Sequence, residues 1–209
     1  VTLLEDDVYR HLWYDSIPPP SIQAVAPPGS VIRLGSFSKL IAPGLRLGWL
    51  IAEPAVVRTL ADSGYLDSGG GQSHTMAHVT GAFIRLGLLD ESVRALRSAY
   101  RLRRDTLLAA LGRHLPPGCS WSTPGGGFFV WLALPRGIDS AAFLPVAEAA
   151  GVSYAPGVRF CCCGGCDRHA RLAFTFLPLP DLDEGARRLA RALTTKKKST
   201  GPDTAPTAR

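Results

Sequence analysis

The chain has 209 residues, an apolar fraction of 46% and a net charge of +6. This length suits one or two domains, and this apolar fraction excludes a disordered chain. Three consecutive lysines at 196–198 sit in a Ser/Thr/Pro/Gly-rich tail, so the charge gives no strong case for nucleic-acid binding. No long apolar span or signal peptide is visible, and we expect a cytoplasmic protein without a membrane segment.

The first part of the chain alternates short apolar runs with helical and glycine-rich segments. The predicted elements are a strand at 1–5, a loop at 17–20, strands at 31–35 and 47–52, a helix from Pro54, a glycine-rich loop at 63–73 and a helix at 74–86. Short buried strands that alternate with helices are typical of an α/β sheet.

The second part begins with a long amphipathic helix, for which Asp90 is the predicted N-cap. The other predicted elements are strands at 119–123 and 127–134, a helix at 140–150, strands at 152–155 and 171–176, and a final helix from Asp181 to about 193. We therefore expect an α/β chain with a first domain at 1–88, a smaller α/β domain at 89–195 and a disordered basic tail at 196–209.

The segment around Lys39 carries the strongest chemical signal. Ser36 and Ser38 precede this lysine, and Arg46 follows it in a Pro-Gly-Leu-Arg run. A lysine amine can condense with an aldehyde. Hydroxyl groups and an arginine fork suit a dianionic phosphate. The segment therefore carries groups that could bond an aldehyde and bind a phosphate.

Asp6 and Tyr9 form a second pair, at the end of the first predicted strand. Open α/β sheets bind ligands at the carboxyl ends of their strands, which is where this pair falls. The spacing alone is weak, and Glu5 and Asp7 are competing carboxylates. Together with Lys39, some thirty residues downstream, the pair is predicted to belong to the same site.

Arg171 lies in an apolar strand, Ala-Arg-Leu-Ala-Phe. A guanidinium in such a strand needs an anionic partner, because an unpaired buried charge is costly. A carboxylate could take a two-pronged bond from it. An ordinary internal ion pair is the alternative.

Three weaker signals remain. Gly125, Gly126 and Gly127 precede two phenylalanines and predict either a turn or a close backbone approach to a ligand. Gln72, Ser73 and His74 open a helix, whose N-terminus favours phosphate. Four cysteines lie between positions 161 and 166, with His169 nearby. We expect a reduced surface loop there and no metal, with a zinc site as the alternative.

These motifs, taken together and in this order, resemble class I/II aminotransferases of fold type I. The resemblance covers nearly all of residues 1–195 and rests on Glu-Asp-Asp-Val-Tyr at 5–9, the 39–48 segment, Pro-Gly-Gly-Gly-Phe-Phe-Val-Trp at 124–131, Ala-Pro-Gly at 155–157 and Arg-Leu-Ala-Phe at 171–174. The branch is similar to 2-aminoadipate aminotransferases and to the aminotransferase-like domains of MocR regulators. It implies part of a large domain with a mostly parallel sheet, followed by a small domain.

The resemblance implies pyridoxal 5'-phosphate (PLP) as cofactor and assigns roles to the residues above. Lys39 is the catalytic residue, which holds PLP and then moves the substrate proton. Asp6, which comes three residues before Tyr9, keeps the ring nitrogen protonated, and Tyr9 hydrogen-bonds the phenolic oxygen. The phosphate is bound by Ser36, Ser38 and Arg46, and the substrate α-carboxylate by Arg171.

The resemblance also implies amino-acid and 2-oxo-acid substrates and a homodimer. Because family members are about twice as long, we expect an N-terminally truncated fragment whose sheet leaves one edge and an apolar face open. A MocR-type regulator, with nucleic acid as a partner, and a non-catalytic remnant are the alternatives.

Overall fold

The computed structural model describes residues 1–67, 69 and 73–199, which form two compact units. The first contains Val1–Ala99 together with Gly125–Gly127, and the second contains Tyr100–Pro124 and the described residues from Phe128 to Ser199. The division falls within one long helix. The domain boundaries 1–88, 89–195 and 196–209 stay a prediction.

The first unit is built around a three-stranded sheet. Its elements are β1 (Leu3–Asp6), α1 (Ile22–Val25), β2 (Val31–Ser36), β3 (Gly48–Ile51), α2 (Pro54–Ala61), α3 (Gly64–Asp67), α4 (His74–Arg85) and the first part of α5 (Leu88–His114), with short 3₁₀ turns at Phe37–Lys39 and Pro43–Leu45. The strand order is β1-β2-β3. The turn α3 lies within the stretch predicted as a glycine-rich loop.

The pairing of these strands decides which residues meet. β1 runs parallel to β2, with Asp6 opposite Leu34, and β3 runs antiparallel to β2, with Gly48 opposite Ser36. The carboxyl ends of β1 and β2 therefore lie at the same edge of the sheet as the amino end of β3. We call this the site edge.

The first unit leaves much of its apolar surface exposed. Leu3 and Leu4 of β1 and Leu50 and Ile51 of β3 are all exposed, although Leu12 is fully buried. Within the described part of the chain, β1 pairs with β2 alone and so forms an edge of the sheet. The open edge expected from the sequence is thus present among the described residues, and apolar side chains are exposed on both faces of the sheet.

Gly125–Gly127 packs against residues 12–14 of the same unit. The N–H of Tyr14 donates to the carbonyl of Gly125 over 2.7 Å, and the N–H of Gly127 donates to the carbonyl of Leu12 over 2.9 Å. The Tyr14 hydroxyl also donates to the Gly127 carbonyl. The structure thus shows this glycine run in close contact with backbone of the same unit, and an approach to a ligand stays a prediction.

The second unit contains a four-stranded antiparallel sheet in the order β4-β5-β7-β6. Its elements are the rest of α5, β4 (Ser120–Trp121), β5 (Phe129–Ala133), α6 (Ser140–Ala149), β6 (Ala155–Pro156), a 3₁₀ turn at Gly157–Phe160, β7 (His169–Ala173) and α7 (Leu179–Ser199). The helices α5 and α7 both begin two residues before the predicted cap. Asp90 and Asp181 therefore lie in the first turns of these helices, where a carboxylate interacts favourably with the helix dipole.

The sheet of the second unit has one buried face and one partly open face. Val130 and Leu132 of β5 and Ala170 and Leu172 of β7 are buried, together with core side chains of the helices such as Leu111, Phe143 and Leu189. Side chains alternate along a strand, so the intervening residues point the other way. We call the side that carries Phe129, Trp131, His169 and Arg171 the outer face.

None of the helices in the described part of the chain combines the length and apolar character that a membrane span needs. The last helix ends at Ser199, six residues beyond its predicted end, so the first residues of the predicted tail are helical.

Gly126→Ala tests the contact between the glycine run and residues 12–14. The added methyl would lie 2.6 Å from the Leu12 carbonyl oxygen and 3.1 Å from the Cα of Trp13. Since neither backbone atom can move freely, we expect a loss of about 1–3 kcal/mol in the free energy of unfolding. Chemical denaturation measures this loss.

Gly125→Ala is the matched control. Its added methyl meets no atom nearer than an Asp15 carboxylate oxygen at 3.8 Å. We expect a change within about 0.5 kcal/mol, as for most surface substitutions. Equal effects of the two substitutions would contradict the packing described here.

Candidate functional site

The site edge gathers four of the residues singled out in the sequence. Asp6 ends β1, and Ser36 ends the neighbouring parallel strand β2. Lys39 ends the 3₁₀ turn that follows β2, and Arg46 comes two residues before β3 begins. Asp6 pairs with Leu34, so Ser36 lies two residues further along the neighbouring strand and on the same face of the sheet.

The turn that carries Lys39 is fixed from both sides. The Ser36 hydroxyl oxygen accepts a hydrogen bond from the N–H of Ser38 over 3.1 Å, and Ser38 itself is buried. Ser92 of α5 donates to the carbonyl of the buried Leu40 over 2.9 Å. The backbone on both sides of Lys39 is thus held, while its side chain is half-buried. Ser36 keeps its own O–H as a donor.

Arg46 has a left-handed backbone with φ of 49° and ψ of 36°. This conformation costs a non-glycine residue about 1–2 kcal/mol. The side chain is exposed and donates one long hydrogen bond, over 3.4 Å, to the Pro43 carbonyl. An arginine in a backbone conformation that favours glycine is a signal of function, because strain of this kind concentrates at ligand sites.

The three neighbouring carboxylates are used in different ways. Glu5 accepts hydrogen bonds from the N–H groups of Ile22 and Gln23, over 2.8 and 3.0 Å. Asp7 pairs with Arg33 over 2.7 Å. Asp6 is exposed at the site edge and has no hydrogen bond or ion pair among the residues described.

The contacts of Glu5 also set its pKa. Burial raises the pKa, but the N–H donors of Gln23 and Ile22 and the charges of Arg33 and Arg10 outweigh it and hold the pKa below its usual value. Glu5 is therefore committed to the start of α1 as a charged carboxylate.

Tyr9 is half-buried in the turn that follows β1. It lines a surface cleft of about 460 Å³ together with Leu12, Trp13 and Gly125–Gly127. Arg97 of α5 supports this turn. It donates to the carbonyl of His11 over 2.7 Å and stacks on Trp13 at 3.9 Å from the ring centroid. No pattern in the sequence indicated this support.

Arg171 lies in the second unit, on the outer face of β7. Its guanidinium carbon is 4.0 Å from the ring centroid of Phe129 and 4.1 Å from that of Phe160. No carboxylate or hydrogen-bond acceptor among the described residues partners it. The structure thus shows two aromatic contacts in place of the internal ion pair. Stacking on rings leaves the in-plane N–H groups as donors for an anion.

The two aromatic partners of Arg171 differ in how far the sequence could reveal them. Phe129 follows from strand alternation, since Phe129 and Arg171 are diagonal neighbours across β5 and β7. Phe160 comes from the 3₁₀ turn at Gly157–Phe160, whose irregular path no sequence periodicity predicts.

The cysteine loop differs from its prediction. Cys161 and Cys166 form a disulfide, whereas Cys162 and Cys163 are free, exposed thiols. The expectation of a fully reduced loop is therefore wrong for one pair, since the turn brings the two ends of this short segment together. In the described part of the chain, no group of three or more His, Cys, Asp or Glu side chains could hold a metal ion.

The predicted phosphate contact at the start of α4 involves Gln72, which lies outside the described residues. Ser73 precedes the helix with φ of 36° and makes no side-chain cap. His74 is exposed, and its Nε2 lies 3.0 Å from Nε2 of His78. The phosphate contact at the start of α4 stays a prediction.

The chain is similar to aminotransferases and to HTH-type transcriptional regulators. The family model "Aminotransferase class I and II" matches residues 1–189. Aromatic-amino-acid aminotransferase 1 of Thermococcus litoralis is 38% identical over 197 residues, which cover 94% of this chain and 47% of that protein. An uncharacterized HTH-type transcriptional regulator of Bacillus subtilis is 32% identical, over 90% of this chain and 38% of that protein.

Among solved structures, α-aminoadipate aminotransferase LysN of Thermus thermophilus, complexed with N-(5'-phosphopyridoxyl)-L-leucine, superposes with a TM-score of 0.85. It is 31% identical, over 93% of this chain and 50% of that one. The chain thus spans half or less of each of these proteins. The fold is the expected α/β fold of type I aminotransferases, and the chain belongs to the class I and II aminotransferase family.

Proposed function

We propose that the protein containing this chain transfers an amino group between an amino acid and a 2-oxo acid, with PLP as its cofactor. The observation that carries the proposal is the site edge, where Asp6, Ser36, Lys39 and Arg46 come together in a chain of this family. The Thermus relative, solved with a phosphopyridoxyl amino acid, supports the same cofactor and substrate class.

The donor set at the site edge fits PLP. The cofactor presents an aldehyde, a protonatable ring nitrogen and a phosphate dianion. The edge offers a primary amine at Lys39, a carboxylate at Asp6, and a guanidinium and hydroxyl at Arg46 and Ser36. The amine suits the aldehyde, the carboxylate suits the ring nitrogen, and the guanidinium and hydroxyl suit the phosphate. Each can therefore take a separate part of the ligand.

When bound, PLP draws electrons away from the substrate Cα–H bond. Asp6 keeps the ring nitrogen protonated, a role for which Glu5 and Asp7 are not available because other groups engage them. Lys39 would hold the cofactor through its amine and would take and return the substrate proton. Tyr9 would hydrogen-bond the phenolic oxygen, and Ser36, Ser38 and Arg46 would bind the phosphate.

Arg171 binds the substrate α-carboxylate in this proposal. Its guanidinium stacks on Phe129 and Phe160 without an anionic partner among the described residues. A carboxylate can accept two parallel N–H bonds from the guanidinium edge. The contact is the same in the ground state and the transition state, so it contributes to binding rather than to the chemical step.

We further propose a homodimer that acts in the cytoplasm. The exposed apolar side chains of the first unit, including Leu3, Leu4 and Leu50, support a surface that another protein segment covers.

The similarity to an HTH-type regulator supports a second function, that of a PLP-dependent transcriptional regulator. A DNA-binding helix–turn–helix segment in the same protein would select this alternative, and with it nucleic acid as a partner. A non-catalytic remnant is the third possibility, and a lack of turnover in the protein at its natural length would select it.

The first test is covalent trapping at Lys39. The protein at its natural length is incubated with PLP, reduced with borohydride and digested for peptide mapping. We expect a phosphopyridoxyl group on Lys39, and we expect Lys39→Arg to lose both the label and turnover, because a guanidinium does not condense with the aldehyde. Label confined to Lys196, Lys197 and Lys198 would remove the assignment.

A second test separates the strain of Arg46 from its role in binding. Arg46→Gly and Arg46→Ala both remove the guanidinium, so both should weaken PLP binding about tenfold or more. Only glycine relieves the left-handed backbone, and we expect it to be about 1 kcal/mol more stable than the alanine variant. Fluorescence titration and thermal unfolding measure the two effects. Unchanged PLP affinity in both variants would contradict a phosphate contact.

A third test uses Arg171→Lys, which keeps the charge but loses the two-pronged geometry. We expect KM for the amino acid to rise about tenfold while kcat stays nearly constant, because a uniform binding contact is lost. A purely structural Arg171 would instead lower the unfolding temperature and leave KM unchanged.

A further inference from the structure

Phe160 contacts the guanidinium of Arg171 from a turn that lies outside the strand pairing. Its ring is 44% exposed, and it lies at the end of a short 3₁₀ turn. The pairing of β6 with β7 ends at Pro156, before this turn begins. The ring also contacts Trp131, edge to face, at 5.9 Å between centroids. An exposed aromatic contact of this kind is worth only about 1 kcal/mol.

The residue that follows Phe160 is Cys161, which forms the disulfide with Cys166. The Cys166 carbonyl accepts a hydrogen bond from the N–H of His169 over 2.9 Å, at the start of β7. The backbone of Gly157 packs so closely there that a Cβ would lie 2.5 Å from the Cys166 carbonyl oxygen. The disulfide thus links the residue that follows the Phe160 turn to a residue three positions before the strand that presents Arg171.

This disulfide lies in a surface loop beside free thiols. Cys162 and Cys163 are exposed, and their sulfurs are 3.5 Å apart. Cys161 and Cys166 are half-buried, so solvent reaches the loop. Thiol–disulfide exchange requires such access. In the reducing compartment proposed above, protein disulfides are usually transient and redox-sensing rather than structural.

We propose that Cys161 and Cys166 form a reversible dithiol–disulfide pair that sets how firmly Phe160 holds Arg171, and thereby the affinity for the substrate carboxylate. The proposal rests on the function assigned to Arg171 above. Phe160 is a positioning residue in it, since it acts through the guanidinium. Its ring keeps the guanidinium plane in one orientation, so that the donors on the edge face one direction.

The exchange needs a low-molecular-weight thiol as its reductant. Two molecules of this thiol reduce the pair. The Cys161–Cys166 bond breaks, a disulfide forms between the two small thiols, and the two thiol protons end on the protein sulfurs. The corresponding small disulfide reverses the step. Once the disulfide is reduced, the Phe160 ring is free to leave the guanidinium face.

The test compares oxidised and dithiothreitol-reduced protein at its natural length. Peptide mass spectrometry must first show the Cys161–Cys166 link in the oxidised sample. We then expect reduction to raise the rate of phenylglyoxal labelling at Arg171, and to raise KM for the amino acid, each by about two- to fivefold at constant kcat, as for loss of an exposed cation–π contact. In both redox states, Phe160→Leu should show the labelling rate and the KM of the reduced protein.

The matched controls lie in the same loop. Cys161→Ser/Cys166→Ser should be locked in the reduced behaviour, whereas Cys162→Ser/Cys163→Ser should keep the full redox response. Burial raises the pKa of the Cys119 thiol, with a smaller opposing effect from Arg168, so Cys119 should react slowly and Cys119→Ser should also keep the response.

The outcomes separate this inference from the function on which it rests. Arg171 labelling that is the same in both redox states, or an oxidised protein linked through Cys162 or Cys163 instead, would overturn the redox coupling alone. A redox-dependent labelling rate combined with an unchanged KM in Arg171→Lys would keep the coupling and overturn the substrate contact.

Discussion

The parallel pairing of β1 with β2 is the constraint on which the candidate site depends. It places the carboxyl ends of two strands side by side, so that a carboxylate from one and the lysine turn from the other reach the same edge. The antiparallel return of β3 then brings Arg46 to that edge as well. A shift of one residue in this register would turn every side chain of the strand to the other face of the sheet.

Arg171 shows how a strand can hold a charged group without neutralising it. Two aromatic faces cover the guanidinium plane, which offsets part of the cost of partial burial while the edge keeps its donors. An internal ion pair would have satisfied the same charge but removed its capacity for a ligand. The alternation of β5 and β7 makes this arrangement possible, because it separates the outer face from the packed core.

How far the sequence reached depends on the range of the interactions involved. The strand before Lys39 and the connection that carries this lysine could be predicted, because the apolar run and the polar residues that end it lie within a few positions of one another. The contacts of Phe160 and Arg97 could not be predicted. Arg97 contacts a residue far away in the chain, and the position of Phe160 is set by an irregular turn. The disulfide was missed for a related reason. Crowded cysteines have several possible pairings, and only the path of the loop selects one.

The three carboxylates at positions 5 to 7 offer an internal comparison that bears on function. Glu5 and Asp7 are engaged by backbone donors and by arginine, as expected of residues that stabilise the fold. Asp6, between them, contributes no such bond among the described residues, and Arg46 at the same edge carries a backbone strain that glycine would relieve. Side chains that stabilise the folded chain so little are best explained by a ligand that they bind, since strain and unused polar groups concentrate at such sites.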